Sequence, residues 1–321
     1  MDRSETYIFD ELLPLFAYSF SSKGFVDLLD LSSSILPVVP DTFLVSLYDY
    51  RYLLSEFDEL NKNDGRIRIW DSGGYETSTD DDLSSHSSAI AGNKPWNEDI
   101  YVATASTIPW NSRDILVSYD VYENRLRKSV VEQFEDACRL FERIPGNYLR
   151  DIVLHVDQSA DVKSLVEDAK RFQGCFDVLG FTEKEIAGTW FNGIHFIDKL
   201  RNELSGKLGV YVPLHLFGCF DPKSIIRFFL AGADIFDGLS WLRYFIDNRS
   251  TLYTREYEAR VPFRLQPQLG FYRPEIVANN IAELQRLRND LAYAAMSGDY
   301  SRIQDELSFV LQVLSNGGDR S

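Results

Sequence analysis

The stretch from Val210 to Asp237, VYVPLHLFGCFDPKSIIRFFLAGADIFD, contains a strand, a helix and a second strand in succession. Val210-Tyr211-Val212-Pro213-Leu214 is short, apolar and partly β-branched, as a strand buried on both faces should be. Asp221 is a helix N-cap with Pro222 at the first helical position, and Ala231-Gly232 closes the helix. Ala233-Asp234-Ile235-Phe236 then begins another apolar run. A strand, a helix and a strand with tight joints make a βαβ unit, and that unit implies parallel pairing.

Working outward, the same alternation recurs. Phe43–Leu47, Arg66–Trp70, Ile115–Tyr119, Ile152–Val156 and Phe176–Leu179 read as further strands. Val130, Val131, Phe134, Cys138, Phe141 and Ile144 recur at helical spacing until Pro145-Gly146 stops the segment. The expected fold is α/β, an irregular (β/α)₈ TIM barrel, the common way to use about 250 residues as one domain. Residues 1–40 read as an N-terminal extension, 41–273 as the barrel and 274–321 as a C-terminal helical pair. Residues 76–99 are polar and rich in Gly, Ser and Asp, so a mobile loop is expected directly after Asp71-Ser72-Gly73-Gly74, where a lid would serve.

The chain has 321 residues, 45% hydrophobic and 26% charged, with a net charge of −16. Such a charge repels polyanions on average, so a nucleic-acid partner requires a local basic patch or a second subunit. Arg125-Leu126-Arg127-Lys128 reads equally as a phosphate contact or a solvated helix start. Acidic residues interrupt the early apolar runs and no stretch is long enough to span a membrane, so a cytoplasmic protein without membrane contact is expected. Cys138, Cys175 and Cys219 lie among apolar neighbours and read as buried reduced thiols.

Three carboxylates end strands: Asp71, Asp120 and Asp237. Barrel enzymes gather their chemistry at such positions. A lone Asp there is an ordinary cap, whereas three on one rim repel unless they share a task. His155 and His195 read as satisfied core histidines, and Trp110 and Trp241 as base-stacking or packing residues.

Ile69-Trp70-Asp71-Ser72-Gly73-Gly74-Tyr75 resembles the strand-end motif of the tRNA-guanine transglycosylases, the queuine and archaeosine tRNA-ribosyltransferases. Pro213–Gly218 followed by Gly232–Asp237 resembles their nucleophile region, and the similarity runs in matching order from about residue 40 to 255. The resemblance implies that Asp237 is the nucleophile at C1′ of a nucleotide and Asp71 the general acid/base. It further implies base-binding roles for Ser72, Gly73, Gly74, Asp120, Gln158 (Asp157 after a shift of one), Leu179, Gly180 and Glu185. The implied activity exchanges guanine in tRNA or DNA for a 7-deazaguanine of the preQ0/preQ1 kind, the chemistry of queuosine formation. The family's zinc subdomain of three cysteines and a histidine has no counterpart here, so no cofactor is expected. DNA-modifying members of the superfamily therefore rank level with tRNA-modifying ones. The alternatives are a non-catalytic or partner-dependent subunit, within a homodimer or with a second protein, and an N-glycosylase that releases the base to water.

Overall fold

The computed structural model describes residues 7–8, 11–23, 28–40, 42–55, 60, 62, 64–78, 94–120, 128–157, 159–254, 256–257 and 272–316. Gln158, Arg125–Arg127, His86 and most of the proposed lid lie outside the described residues.

Two short antiparallel strands, β1 (Tyr7–Ile8) and β2 (Glu11–Leu12), come first. Eight parallel strands then close into a barrel. They are β3 (Leu15–Phe20), β4 (Thr42–Ser46), β5 (Ile67–Asp71), β6 (Asp114–Val117), β7 (Leu149–Val153), β8 (Val178–Thr182), β9 (Leu214–Phe217) and β10 (Ile235–Gly238). Closure pairs β10 with β3, Asp237 lying opposite Ala17 and Gly238 opposite Tyr18. The barrel therefore begins at Leu15, inside the segment read as an extension. Strand β9 also starts later than expected. Val210 is 55% exposed, and Pro213 has no N–H to give to a ladder, so regular pairing begins only beyond it.

Alternation along the strands sorts the side chains. Leu15, Ala17, Leu44, Ile67, Ile69, Ile115, Val117, Val153, Val178 and Ile235 form one apolar cluster filling the barrel. The same period carries Ser19, Asp71, Gly180, His215 and Asp237 inward nearer the C-terminal rim. The opposite faces, including Phe43, Val45, Trp70, Leu179, Phe181 and Phe236, join a larger cluster under the helices. Each fully buried large apolar side chain of this kind is worth about 1.5–3 kcal/mol relative to exposure.

The surrounding helices are α1 (Leu28–Ile35), α2 (Glu98–Ala105), α3 (Val130–Glu142), α4 (Val162–Arg171), α5 (Trp190–Lys207) and α6 (Pro222–Ala231). The starts of α2 to α6 are capped by side chains. Ser129 and Glu132 form a capping box on α3. Asp221 accepts from Lys223 N and Ser224 N at the head of α6, with Pro222 in the first turn as expected. Two further helices, α7 (Tyr272–Ser297) and α8 (Gln304–Asn316), follow an antiparallel pair, β11 (Phe245–Asp247) and β12 (Ser250–Leu252). Buried Asn280 ties α7 to the barrel: it accepts from Ile246 N at 2.8 Å and donates to the carbonyls of Trp241 and Tyr244 at 2.8 and 2.7 Å.

Elsewhere in the barrel wall, buried ion pairs join Arg68 to Asp114 at 2.6 Å and Arg201 to Asp234. Asp234 also accepts from Tyr211 and from Leu214 N, so this carboxylate of the second motif braces the wall. One expectation is corrected. Cys138 and Cys175 are joined in a disulfide, their Cα atoms 5.6 Å apart, because α3 packs beside the turn leading into β8. Cys219 is buried and free. Among the described residues no helix is long and apolar enough to cross a membrane.

Candidate active site

Asp237 is the centre of the rim. Its Oδ2 accepts from Ser19 Oγ at 2.8 Å, and its Oδ1 accepts from Gly218 N at 3.0 Å. Ser19 Oγ itself accepts from Gly238 N at 3.0 Å, which leaves its one proton to aim at Asp237. His215 Nε2 stands 3.4 Å from Asp237 Oδ1, and Nδ1 of the same ring is 2.7 Å from Asp151 Oδ2. Burial disfavours a charged ring here, but Asp151 and then Asp237 outweigh it and hold His215 up at about 9. An imidazolium between two carboxylates is therefore built into the barrel interior. His215 is fully buried and belongs to the site.

Asp71 ends β5 on the neighbouring arc of the rim. Burial, followed by the charge of Asp237, pushes its carboxyl up to about 7. Its Oδ2 accepts from Gly73 N at 3.3 Å. Gly73 adopts φ +79°, and a Cβ there would lie 2.7 Å from Tyr48 Cβ, so only glycine makes this turn. Ser72 is buried, its Oγ accepting from Gly74 N at 3.1 Å and its carbonyl accepting from Trp96 Nε1 at 3.0 Å. These bonds shape the turn.

Behind the turn lie two carboxyls that motif reading missed. Glu76 accepts from Ser21 Oγ, and Asp49 accepts from Ser22 N at 2.7 Å. Glu76 Oε2 and Asp49 Oδ1 are buried without a hydrogen bond. Burial pushes Glu76 well above the usual carboxylate range, with Asp49 and Asp71 adding repulsion. Burial likewise lifts Asp49 to about 6.

The third group runs across β6, β7 and β8. His155 Nε2 is 2.9 Å from Asp120 Oδ1, and its Nδ1 lies 3.0 and 2.9 Å from the two oxygens of Glu185. Burial opposes the charge, but Asp120 and Glu185 prevail and hold this histidine at about 9. The end of β7 explains why sequence reading placed His155 in the core. The strand stops at Val153, so His155 lies past its end on the rim.

Other expected residues fall elsewhere. Leu179 is fully buried beneath the helices, and its amide donates to the Pro213 carbonyl at 3.1 Å. Gly180 faces inward, where a Cβ would lie 2.4 Å from the Phe217 ring and 2.9 Å from Asp151 Oδ1. Asp157 is exposed and accepts from Ser159 N at 2.7 Å. Trp241 is buried against Tyr18 and Phe20 and donates to the Ser19 carbonyl at 3.1 Å. Trp110 packs on Tyr148 before β6, at the opposite end of that strand from Asp120. Neither tryptophan is a stacking platform at the rim.

Among the described residues no group of three or more His, Cys, Asp or Glu side chains is arranged to hold a metal ion. What the rim can do chemically is hold two carboxyls in opposed settings, Asp237 among donors and Asp71 buried close to its charge. Fold and rim together define a (β/α)₈ barrel with an acid-lined mouth. Comparison with family models and with curated proteins finds no match. The functional reading therefore rests on this geometry and on the motif resemblance.

Proposed function

We propose that the protein is a nucleic-acid base-exchange transglycosylase that replaces guanine with a 7-deazaguanine through a covalent intermediate on Asp237. The observation that carries this reading is the electrostatic coupling of Asp71 to Asp237. One carboxyl is surrounded by donors suited to an anion, and the other is held near neutral pH by burial and by its neighbour's charge. Such a split of environments assigns nucleophile and acid/base in glycosyl transfer.

In the first half-reaction a carboxylate oxygen of Asp237 bonds to C1′ as the C1′–N bond to guanine breaks. The bonding pair leaves with the base, and protonated Asp71 supplies its proton. In the second half, ionised Asp71 takes the N–H proton of the incoming base, whose nitrogen bonds to C1′ and releases the Asp237 carboxylate. Positive charge develops on the sugar in each transition state, and an acid-lined mouth stabilises it. Asp120 reads the base edge, and the extruded nucleotide enters from above the rim.

The net charge of −16 favours one variation, in which a partner subunit supplies the basic surface that holds tRNA or DNA. Release of the base to water uses the same residues and differs only in the acceptor.

The test is trapping on a denaturing gel. Wild type and Asp237→Ala are each mixed with tRNA or with DNA, with and without a 7-deazaguanine. A shifted band with wild type alone is the expected result and identifies the nucleic acid. A band that survives in Asp237→Ala refutes the assignment of the nucleophile.

A further inference from the structure

Within that reading, we propose that Glu76 is a positioning residue for Asp71: one proton held by the pair Glu76 and Asp49 fastens the turn that carries the acid/base. The turn is one hydrogen-bonded unit. Gly73 N donates to Asp71 Oδ2 at 3.3 Å, and Thr77 donates to the Gly73 carbonyl from its N at 3.3 Å and from Oγ1 at 3.0 Å. Glu76 lies inside this unit, on the single helical turn Gly74–Thr77. Its carboxyl reaches outward and accepts from Ser21 Oγ, on the segment after β3. Movement of Glu76 is therefore passed to Asp71 through the short chain between them.

Hydrogen bonds fix the state of the pair. Glu76 Oε1 is satisfied by Ser21 and Asp49 Oδ2 by Ser22 N at 2.7 Å, whereas Glu76 Oε2 and Asp49 Oδ1 are buried without a hydrogen bond. Glu76 is 7% exposed and Asp49 fully buried. Two ionised carboxylates in such a place repel each other and leave two acceptors without donors. One proton removes a charge and turns Glu76 Oε2 into a donor, for Asp49 or for a water between them. Glu76 is the member that keeps the proton, because Asp49 and Asp71 both oppose its charge. The other groups around it are Tyr48, whose phenol burial pushes up to about 12, and two cations that hold the backbone and ring of Tyr75. Lys23 Nζ donates to the carbonyls of Tyr75 and Ser78 at 3.1 Å each, and Arg243 Nη2 donates to Tyr75 Oη at 2.8 Å. Loss of the proton puts a second charge in the pair, and the turn moves off the segment after β3 with Asp71 on it. A catalytic group displaced by about 1 Å costs on the order of 100-fold in rate.

Trp96 reports the turn without any substrate, because its Nε1 donates to the Ser72 carbonyl at 3.0 Å. The experiment follows the Trp96 indole N–H resonance of the full chain from about pH 5 to 9. It is run in Asp71→Asn, where Asp71 itself does not titrate, and in the same chain with Glu76→Gln added. The pair loses its protons in two steps that belong to it jointly. The resonance is expected to move with the second step. That movement is expected to vanish in the double variant, where glutamine keeps an N–H donor at every pH. The second readout is the covalent band on Asp237 with Asp71 intact. Glu76→Ala is expected to form it about 10- to 100-fold more slowly than wild type, and Glu76→Gln to restore most of the rate. If Glu76→Ala fails to fold, the Trp96 titrations decide alone. A Trp96 resonance that ignores the second step, or moves equally in the double variant, overturns the inference. So does a Glu76→Ala chain as fast as wild type. Absence of the band in wild type overturns the transglycosylase reading, while a Trp96 movement lost with Glu76 upholds the shared proton regardless.

Discussion

Asp71 is held at about 7 against 3.8 for the same carboxyl in water, so the folded chain resists ionising it. Between those two values the native state binds more protons than the unfolded chain, and stability falls as the pH rises. At about 1.4 kcal/mol for each tenfold change in proton affinity, the full cost above pH 7 is about 4 kcal/mol. Asp71→Asn removes the charge, and the carboxamide oxygen can still accept from Gly73 N, now 3.3 Å from Oδ2. The variant should therefore be more stable than wild type by about 1 kcal/mol at pH 4.5 and by up to about 4 kcal/mol at pH 8. Urea unfolding at the two pH values measures both differences. Asp49 titrates in both proteins, and Glu76 feels the charge of Asp71, so the change in the difference between pH values reports Asp71 together with its coupling to Glu76. A gain equal at both pH values, or a loss at pH 8, would refute the claim that burial and Asp237 strain this carboxyl. A gain confined to high pH would mark Asp71 as a residue kept at the expense of stability, as catalytic groups commonly are.

Two further outcomes follow from the same contacts. His155 and His215, each held at about 9 against 6.5, contribute stability that is fully present below pH 6.5 and lost as the pH rises through 9. That loss is about 3 kcal/mol apiece; urea titrations at pH 6.5 and 9.5 should show the fall, His215→Phe should cut it by about half, and a level wild-type profile would contradict it. Gly180→Ala should cost about 1–3 kcal/mol by driving a methyl into the Phe217 ring, and Phe217→Leu in the same chain should recover part of that cost; identical losses in both backgrounds would show that the ring is not the obstacle.

How much of this was legible in the sequence depended on whether the signal was local. The βαβ unit around α6 is readable because its cap, its proline and its closing glycine are adjacent in the chain. Asp71 and Asp237 are readable as carboxyls at strand ends. Strand β3 is not, because Pro14 and the acidic residues before it mask a short apolar run at the edge of a polar segment. The histidines are the clearest failure. Leu154-His155-Val156 and Leu214-His215-Leu216 look like core, and both rings are indeed buried. What gives them a role is a pair of carboxylates on each, supplied by neighbouring strands or by the loops beyond them, and no reading of one strand can show that. The Cys138–Cys175 pairing was hidden in the same way, by a sequence separation of 37 that says nothing about packing.

Ser19 and Asp237 meet across a separation of 218 residues, on the first and last strands of the barrel. During synthesis Ser19 emerges early, and its partner carboxylate is made only after most of the chain has left the ribosome. No partial chain ending before β10 can possess the Asp237 carboxylate with its hydroxyl donor in place. The assembled rim therefore arrives only when the ring of strands is shut.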